Sequence, residues 1–388
     1  MTGTPNSERL HIVLAGERNS GKSSLLNLIA GQQVSIVSDI PGTTTDHVSK
    51  AMEIPGLGAC LLVDTAGLDD KGELGRKRVG AALDVIEAAD VIVAAVDATT
   101  GSLPDIPVGK VPVVPIINKC DAIDIDMLAE LVSAVKTKYG KNPVTVSAMS
   151  GKGRQDIISA IQDNIPEDWN APLLTAGLLE DGDTAVLVMP QDRQAPKGRL
   201  ILPQQQTVRE LLDRHCIVLC CDTESLPATL SSLKGKPAAV IADSQALGKI
   251  KDLIPEGTRL TSFSMLLAAS KGDLEYFKES VRKIDSLSPE SRVLIAEACT
   301  HVPASEDIGR VQIPRLLRSR AGEGLTVDVV SGHDFPENLS RYDLIIHCGA
   351  CMFNRRYVLA RVQEAKRQGI PMTNYGITIA YINNLLQI

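Results

Sequence analysis

No stretch constrains the fold of this chain more than Gly16-Glu17-Arg18-Asn19-Ser20-Gly21-Lys22-Ser23. It has the spacing of a phosphate-binding loop, a glycine and four residues before Gly-Lys-Ser, and such a loop works only between a strand and a helix. Both flanks fit. Leu10–Ala15 is apolar, as a buried strand is, and Ser24–Ala30 reads as a helix. Gly16, Asn19, Ser20, Gly21 and Ser24 then line a cradle of backbone N–H groups at the helix N-terminus. Lys22 reaches the β- and γ-phosphates, and Ser23 takes a Mg²⁺ position.

The downstream pieces name the base. Asp64-Thr65-Ala66-Gly67 follows the apolar run Cys60–Val63, offering Asp64 on the metal side and Gly67 to sense a γ-phosphate. Asn118-Lys119-Cys120-Asp121 follows Val113–Ile117, and Ser147-Ala148 follows Val144–Val146. The Asp121 carboxylate accepts both N–H groups of a guanine edge, a pair that adenine lacks, so the expected nucleotide is GTP. Leu68 stands where small GTPases carry a water-orienting glutamine. Intrinsic hydrolysis is therefore expected to be slow unless K⁺ or another group assists. Asp69, Asp70 and Glu73 are candidates to position water, although Asp69–Arg78 reads better as a solvated switch loop.

Pro41-Gly42-Thr43-Thr44-Thr45-Asp46 resembles the first switch of the Era/TrmE-like GTPases. That resemblance implies that Thr44 contacts Mg²⁺ and that Asn19 helps to bind an activating K⁺. On the residues alone, Asn19 also suits a tight turn.

At 388 residues the chain is too long for one core. Aromatic residues make up 3% against 44% hydrophobic, so the cores must be built from Val, Ile, Leu and Ala, as in layered α/β domains. The net charge of −7 argues against a nucleic-acid partner. The first residues are polar, and no apolar run approaches the roughly 20 residues of a membrane span. A soluble, cytoplasmic chain with no membrane partner is expected, in which clustered cysteines are ligands or redox groups rather than disulfides. The expected architecture is a GTPase domain over residues 1–168 followed by two smaller α/β domains with parallel sheets, over 175–265 and 270–388. The middle one alternates strands and helices from Thr184 to Ser270 and carries no phosphate loop. It suits dimerisation, with edge strands of two copies pairing into one sheet of a homodimer. Cys220 and Cys221 read there as small buried apolar residues.

In the last segment, Arg292–Ala298 leads into Cys299-Thr300-His301, and Tyr342–Ile346 leads into His347-Cys348-Gly349-Ala350-Cys351. Three thiolates from two loops hold a soft metal or an iron–sulfur cluster. The residues alone leave open a structural Cys₃His zinc site or a Cys348/Cys351 disulfide couple. The whole pattern, with the run Glu306–Arg310, resembles the HydF family, the GTPases among the maturation proteins of [FeFe]-hydrogenase, and does so over the entire chain. The resemblance implies a [4Fe–4S] cluster on Cys299, Cys348 and Cys351, its fourth ligand exchangeable or drawn from His301, His347, Glu306 and Asp307. It also implies a homodimeric scaffold that receives a diiron precursor from the radical-SAM maturases HydE and HydG and delivers it to the apo-hydrogenase HydA. The rival expectation is a TrmE/Era-like GTPase acting on RNA or the ribosome, with zinc in its tail.

Overall fold

The computed structural model describes residues 4–33, 48–69, 79–106 apart from 81 and 84, 111–167, 169, 172–190, 200–297, 307–332 and 334–385. The chain divides into two compact units, Met1–Asn170 and Ala171–Ile388.

The first unit is built on strands β1 (Leu10–Gly16), β2 (Val48–Ile54), β3 (Gly58–Asp64), β4 (Val91–Asp97), β5 (Val113–Asn118) and β6 (Val144–Thr145). Their order in the sheet is β2-β3-β1-β4-β5-β6. Only β2 runs antiparallel to its neighbour, β3. Strands β4 and β5 are buried along their whole length. Near-continuous runs of Val, Ile and Ala suit strands covered on both faces, as a parallel sheet with crossover helices requires. From β1 the chain moves out to β3 on one side and then returns to β4 on the other. The loop after β1 therefore opens at a topological switch point, where open α/β sheets hold their ligands.

The second unit holds two further sheets, as the sequence predicts. The first consists of β7 (Thr184–Val188), β8 (Ile217–Cys221), β9 (Ala239–Ala242) and β10 (Arg259–Ser262), in the order β10-β9-β7-β8. The second consists of β11 (Arg292–Glu297), β12 (Thr326–Ser331), β13 (Leu344–His347) and β14 (Met372–Asn374), in the order β12-β11-β13-β14. Every pairing in both is parallel. In the last sheet the chain leaves β11 for β12 and then crosses back to β13, so its switch point lies between β11 and β13. Those are the strands that lead into Cys299 and Cys348.

One reading needs correction. Cys220 is exposed rather than buried, because β8 is the outermost strand of its sheet; Ile217 on the same strand is 59% exposed.

Helix Phe263–Lys271 joins the two sheets of this unit. Ser262 caps it, its Oγ accepting from the Met265 N–H at 3.3 Å. Helix Tyr375–Ile382 lies so close that a Cβ on Gly376 would stand 2.6 Å from Ser264 Cβ. Leu294, at the middle of β11, is fully buried. Leu294→Ala is expected to cost about 2–5 kcal/mol in denaturant unfolding of the full chain.

Candidate functional site

In the first unit the phosphate loop is closed by long-range contacts as much as by its own turns. Gly21 precedes helix Lys22–Ala30 with φ +87°, a left-handed conformation that glycine adopts without strain, and a Cβ there would strike the Asn118 side-chain amide. A Cβ on Gly16 would stand 2.6 Å from the Ala95 carbonyl oxygen. Lys22 Nζ donates to the carbonyls of Gly16 and Glu17 at 3.0 and 2.7 Å. Ser23 Oγ donates to Asp64 Oδ2 at 2.5 Å, so the hydroxyl and carboxylate that the sequence predicts for Mg²⁺ stand together.

The segments that the sequence predicts to bind the base are tied to the same loop. Buried Asn118 donates through Nδ2 to Ser20 O at 3.2 Å, and its Oδ1 accepts from the Ala148 N–H at 3.0 Å. Lys119, itself left-handed at φ +61°, donates from Nζ to Asn19 O at 2.8 Å and to Asp97 Oδ2 at 2.5 Å. Burial pushes the Asp97 carboxyl up, but hydrogen bonds from Lys119 and Thr99 outweigh it and hold it below its ordinary value. Asp121 is exposed, and a hydrogen bond with the buried Ser147 side chain lowers its carboxyl likewise. An ionised, tethered carboxylate of this kind is a ready acceptor for a guanine edge. Gly67 packs against Arg18, and Asp69, partly exposed to solvent, accepts from the Arg18 backbone N–H at 2.7 Å. Thr44, Asp70 and Glu73 lie outside the described residues.

In the second unit the Cys-x-x-Cys run leaves the end of β13. The Cys348 N–H donates to Ala296 O at 3.0 Å, which continues the β11–β13 ladder. Ala350 turns into the left-handed region at φ +48°, a conformation costly to a residue with a Cβ. That turn aims its N–H at Cys348 Sγ, 3.4 Å away. Such N–H donors stabilise negative charge on a sulfur. Cys348 is buried and Cys351 half-buried.

Two buried cations hold the loop. Lys271, at the end of helix Phe263–Lys271, is 6% exposed; its Nζ donates to Ala350 O at 3.0 Å and Phe353 O at 2.8 Å. Arg361 lies over the rings of Phe335 and Tyr357 and donates to Gly332 O at 2.6 Å and to His347 Nε2 at 3.0 Å. His347 Nδ1 contacts Cys348 O at 2.7 Å, so both ring nitrogens are engaged, Nδ1–H as donor and Nε2 as acceptor. Burial, with the Arg361 charge beside it, pushes His347 down to about 3 and keeps it neutral. As a metal ligand His347 would have to give up one of these bonds.

Glu297 ends β11 in an ion pair with Arg310 at 2.9 Å and accepts from Ser331 Oγ at 3.1 Å. Asp307 Oδ1 accepts from the Arg310 N–H at 2.8 Å. A Cβ on Gly309 would stand 2.8 Å from Glu297 Oε1 and strike the Tyr375 hydroxyl, which accounts for the glycine in the run Glu306–Arg310. Cys299, His301 and Glu306 lie outside the described residues. Among the described residues no group of three His, Cys, Asp or Glu side chains stands ready to hold a metal.

Asp97, Lys271, Arg361 and Asn374, whose Nδ2 donates to Cys348 O at 3.3 Å, are absent from the sequence reading. An aspartate closing Val91–Val96 and a lysine closing the apolar helix Phe263–Ser270 were the available signals for the first two.

Comparison with known proteins assigns the segments. Residues 11–119 match the 50S ribosome-binding GTPase domain. Residues 174–272 match the hydrogen maturase F dimerization domain, and residues 275–388 the hydrogen maturase F tetramerization domain. Similar curated proteins include the tRNA modification GTPase MnmE of Nitratidesulfovibrio vulgaris, 35% identical over 157 residues, covering 39% of this chain and 33% of that protein. MnmE of Burkholderia orbicola is 40% identical over 154 residues, covering 38% of this chain and 32% of that protein. The chain thus spans about a third of the length of these relatives. Among solved structures, Era in complex with MgGDPNP and nucleotides 1506-1542 of 16S ribosomal RNA aligns with 55% of this chain and 92% of that chain, at 23% identity and a TM-score of 0.38.

The Lys271 contacts generate a prediction. Lys271→Met keeps the length of the side chain and removes its donors from two carbonyls, which is worth about 1–3 kcal/mol locally. In metal-free protein, alkylation of Cys348 followed by mass spectrometry is expected to run at least about tenfold faster in the variant, through easier local opening of the loop.

Proposed function

Since the chain belongs to the hydrogen maturase F family, we propose that it is a GTP-hydrolysing scaffold of [FeFe]-hydrogenase maturation, which carries a [4Fe–4S] cluster and passes a diiron unit to the apo-enzyme. The observation that carries this reading is the succession of domains. A GTPase domain is followed by both hydrogen maturase F domains, and the thiol loop opens at the switch point of the last sheet.

In the nucleotide step, Lys22 and the amides of the phosphate loop bind the β- and γ-phosphates, and Asp121 with Ala148 reads the guanine. Ser23, Asp64 and Thr44 hold Mg²⁺, which neutralises phosphate charge, and Asn19 contributes to a site for an activating K⁺. Hydrolysis acts as a switch on partner docking rather than as the chemistry of assembly.

Cys348, Cys351 and Cys299 are the proposed cluster ligands. The fit rests on the chemistry of the donors: soft thiols, one already accepting an N–H, at the carboxyl edge of a parallel sheet. Two peptide units separate Cys299 from Glu297, and β11 pairs directly with β13. Bound there by three sulfurs, a cluster supplies one iron with an exchangeable position; His301, Glu306 and Asp307 are candidates to fill it. The His347–Arg361 pair supports the loop from behind.

The substrate in this reading is the diiron unit made by HydE and HydG, and the recipient is HydA, in the cytoplasm. The dimerization and tetramerization domain matches support self-association. The exposed, outermost strand β8 supports a homodimer formed by strand pairing. No helix among the described residues is long and apolar enough to cross a membrane.

Paired variants test the division of labour. Lys22→Ala is expected to abolish GTP hydrolysis and leave the iron and sulfide content of anaerobically reconstituted protein unchanged. Cys348→Ala and Cys351→Ala are expected to lose the cluster absorbance and the activation of apo-hydrogenase while hydrolysing GTP at the parent rate. Full activation by the cysteine variants would refute the scaffold role.

A further inference from the structure

Strands β4 and β5 end side by side, Asp97 opposite Asn118, and the Ala98 N–H bonds Asn118 O at 3.0 Å. Just beyond, Lys119 takes a left-handed turn at φ +61°, and Asn19 in the phosphate loop takes another at φ +60°. Such a conformation is costly to a residue with a Cβ and persists only where the surroundings over-determine it. One ammonium joins the two turns: Lys119 Nζ donates to Asn19 O at 2.8 Å and to Asp97 Oδ2 at 2.5 Å.

The two carboxylate oxygens of Asp97 divide the work. Oδ1 accepts twice from Thr99, from its backbone N–H at 2.8 Å and from its Oγ1 at 2.6 Å, which shapes the loop after β4. Oδ2 faces the ammonium. The Asp97 side chain is 10% exposed and that of Lys119 38%, so the carboxylate is sheltered from solvent while part of the lysine stays open. Salt screens a sheltered pair less than a surface one. The lysine stem runs from the Asn118-Lys119-Cys120-Asp121 motif to the phosphate loop. A nucleotide with its phosphates on that loop and its base at Asp121 lies along the stem, whose methylenes offer it an apolar shelf.

We propose that Asp97 is a positioning residue for guanine-nucleotide binding: by holding the Lys119 ammonium it fixes the stem along which the nucleotide lies. Asp97 acts through Lys119 and not by touching the ligand. The hold is the same in the bound ground state and in the transition state, so its loss falls on affinity more than on the chemical step. The proposal rests on the nucleotide reading above.

The test is a double-mutant cycle on the full chain with Mg²⁺, reading GDP affinity, KM and kcat for GTP, and denaturant unfolding without nucleotide. Asp97→Asn keeps an oxygen for Thr99 and puts an amide nitrogen, which cannot accept, where Oδ2 stood. It is expected to weaken GDP binding about tenfold and to raise KM by a similar factor, with kcat falling by a smaller one. In the Lys119→Met background the same change is expected to move GDP affinity by no more than about twofold. Asp97→Ser goes through the same cycle and takes the place of Asp97→Asn if that variant does not fold. Parent-like GDP affinity, an undiminished loss in the Lys119→Met background, or failure of both Asp97 variants to fold would overturn positioning through Lys119 and leave the nucleotide reading intact. A parent chain that binds no guanine nucleotide would overturn both.

Discussion

A parallel strand cannot be joined to its neighbour by a tight turn; the chain must first travel back along the sheet. In this molecule that constraint delivers the loops that follow parallel strands to one edge of each sheet. Loops meet where the strand order reverses. Between β1 and β4 the reversal gathers Gly16, Lys22 and Asp97. Between β11 and β13 it gathers Glu297 and Cys348. The two regions have unrelated chemistries, and the same topological rule locates both.

What differs is how each edge is made rigid. The phosphate loop is held by residues of the Asn118-Lys119-Cys120-Asp121 motif: Lys119 reaches across to Asn19 and Asp97, and Asn118 to Ser20 and Ala148. The thiol loop is held from behind by cations that carry no ligand themselves. Lys271 and Arg361 are both nearly inaccessible; Lys271 donates to main-chain oxygens, and Arg361 to a main-chain oxygen, the Tyr357 hydroxyl and a neutral imidazole. A buried cation with satisfied donors is costly to misplace, because any other position leaves it unsolvated. The result is a loop whose sulfurs stay in place through polar bonds rather than through packing alone.

The motifs of the first unit were legible because their chemistry is encoded at fixed spacing next to apolar runs. The three α/β layers were legible for the same reason. The supporting residues were not. Nothing local distinguishes Lys271 from a solvated lysine at a helix end; its partners lie 79 and 82 residues away. Arg361 sits on a charged helix, Arg355–Arg367, and is singled out only by the fold. Cys220 was misjudged because burial on a strand depends on whether a neighbour lies beyond it, which sheet order decides and sequence period does not. Strand β14 is three residues long, too short to show any period.

Helix Phe263–Lys271 belongs by sequence to the stretch that matches the dimerization domain, yet its final side chain grips the loop of the next. The seam between the two matched stretches is therefore not a mechanical joint. Nine helical residues make a rod of about 13 Å, stiff on the scale of the loop it touches. A twist of the β7–β10 sheet would reach the Ala350 and Phe353 carbonyls as motion of a lever arm rather than of a tether.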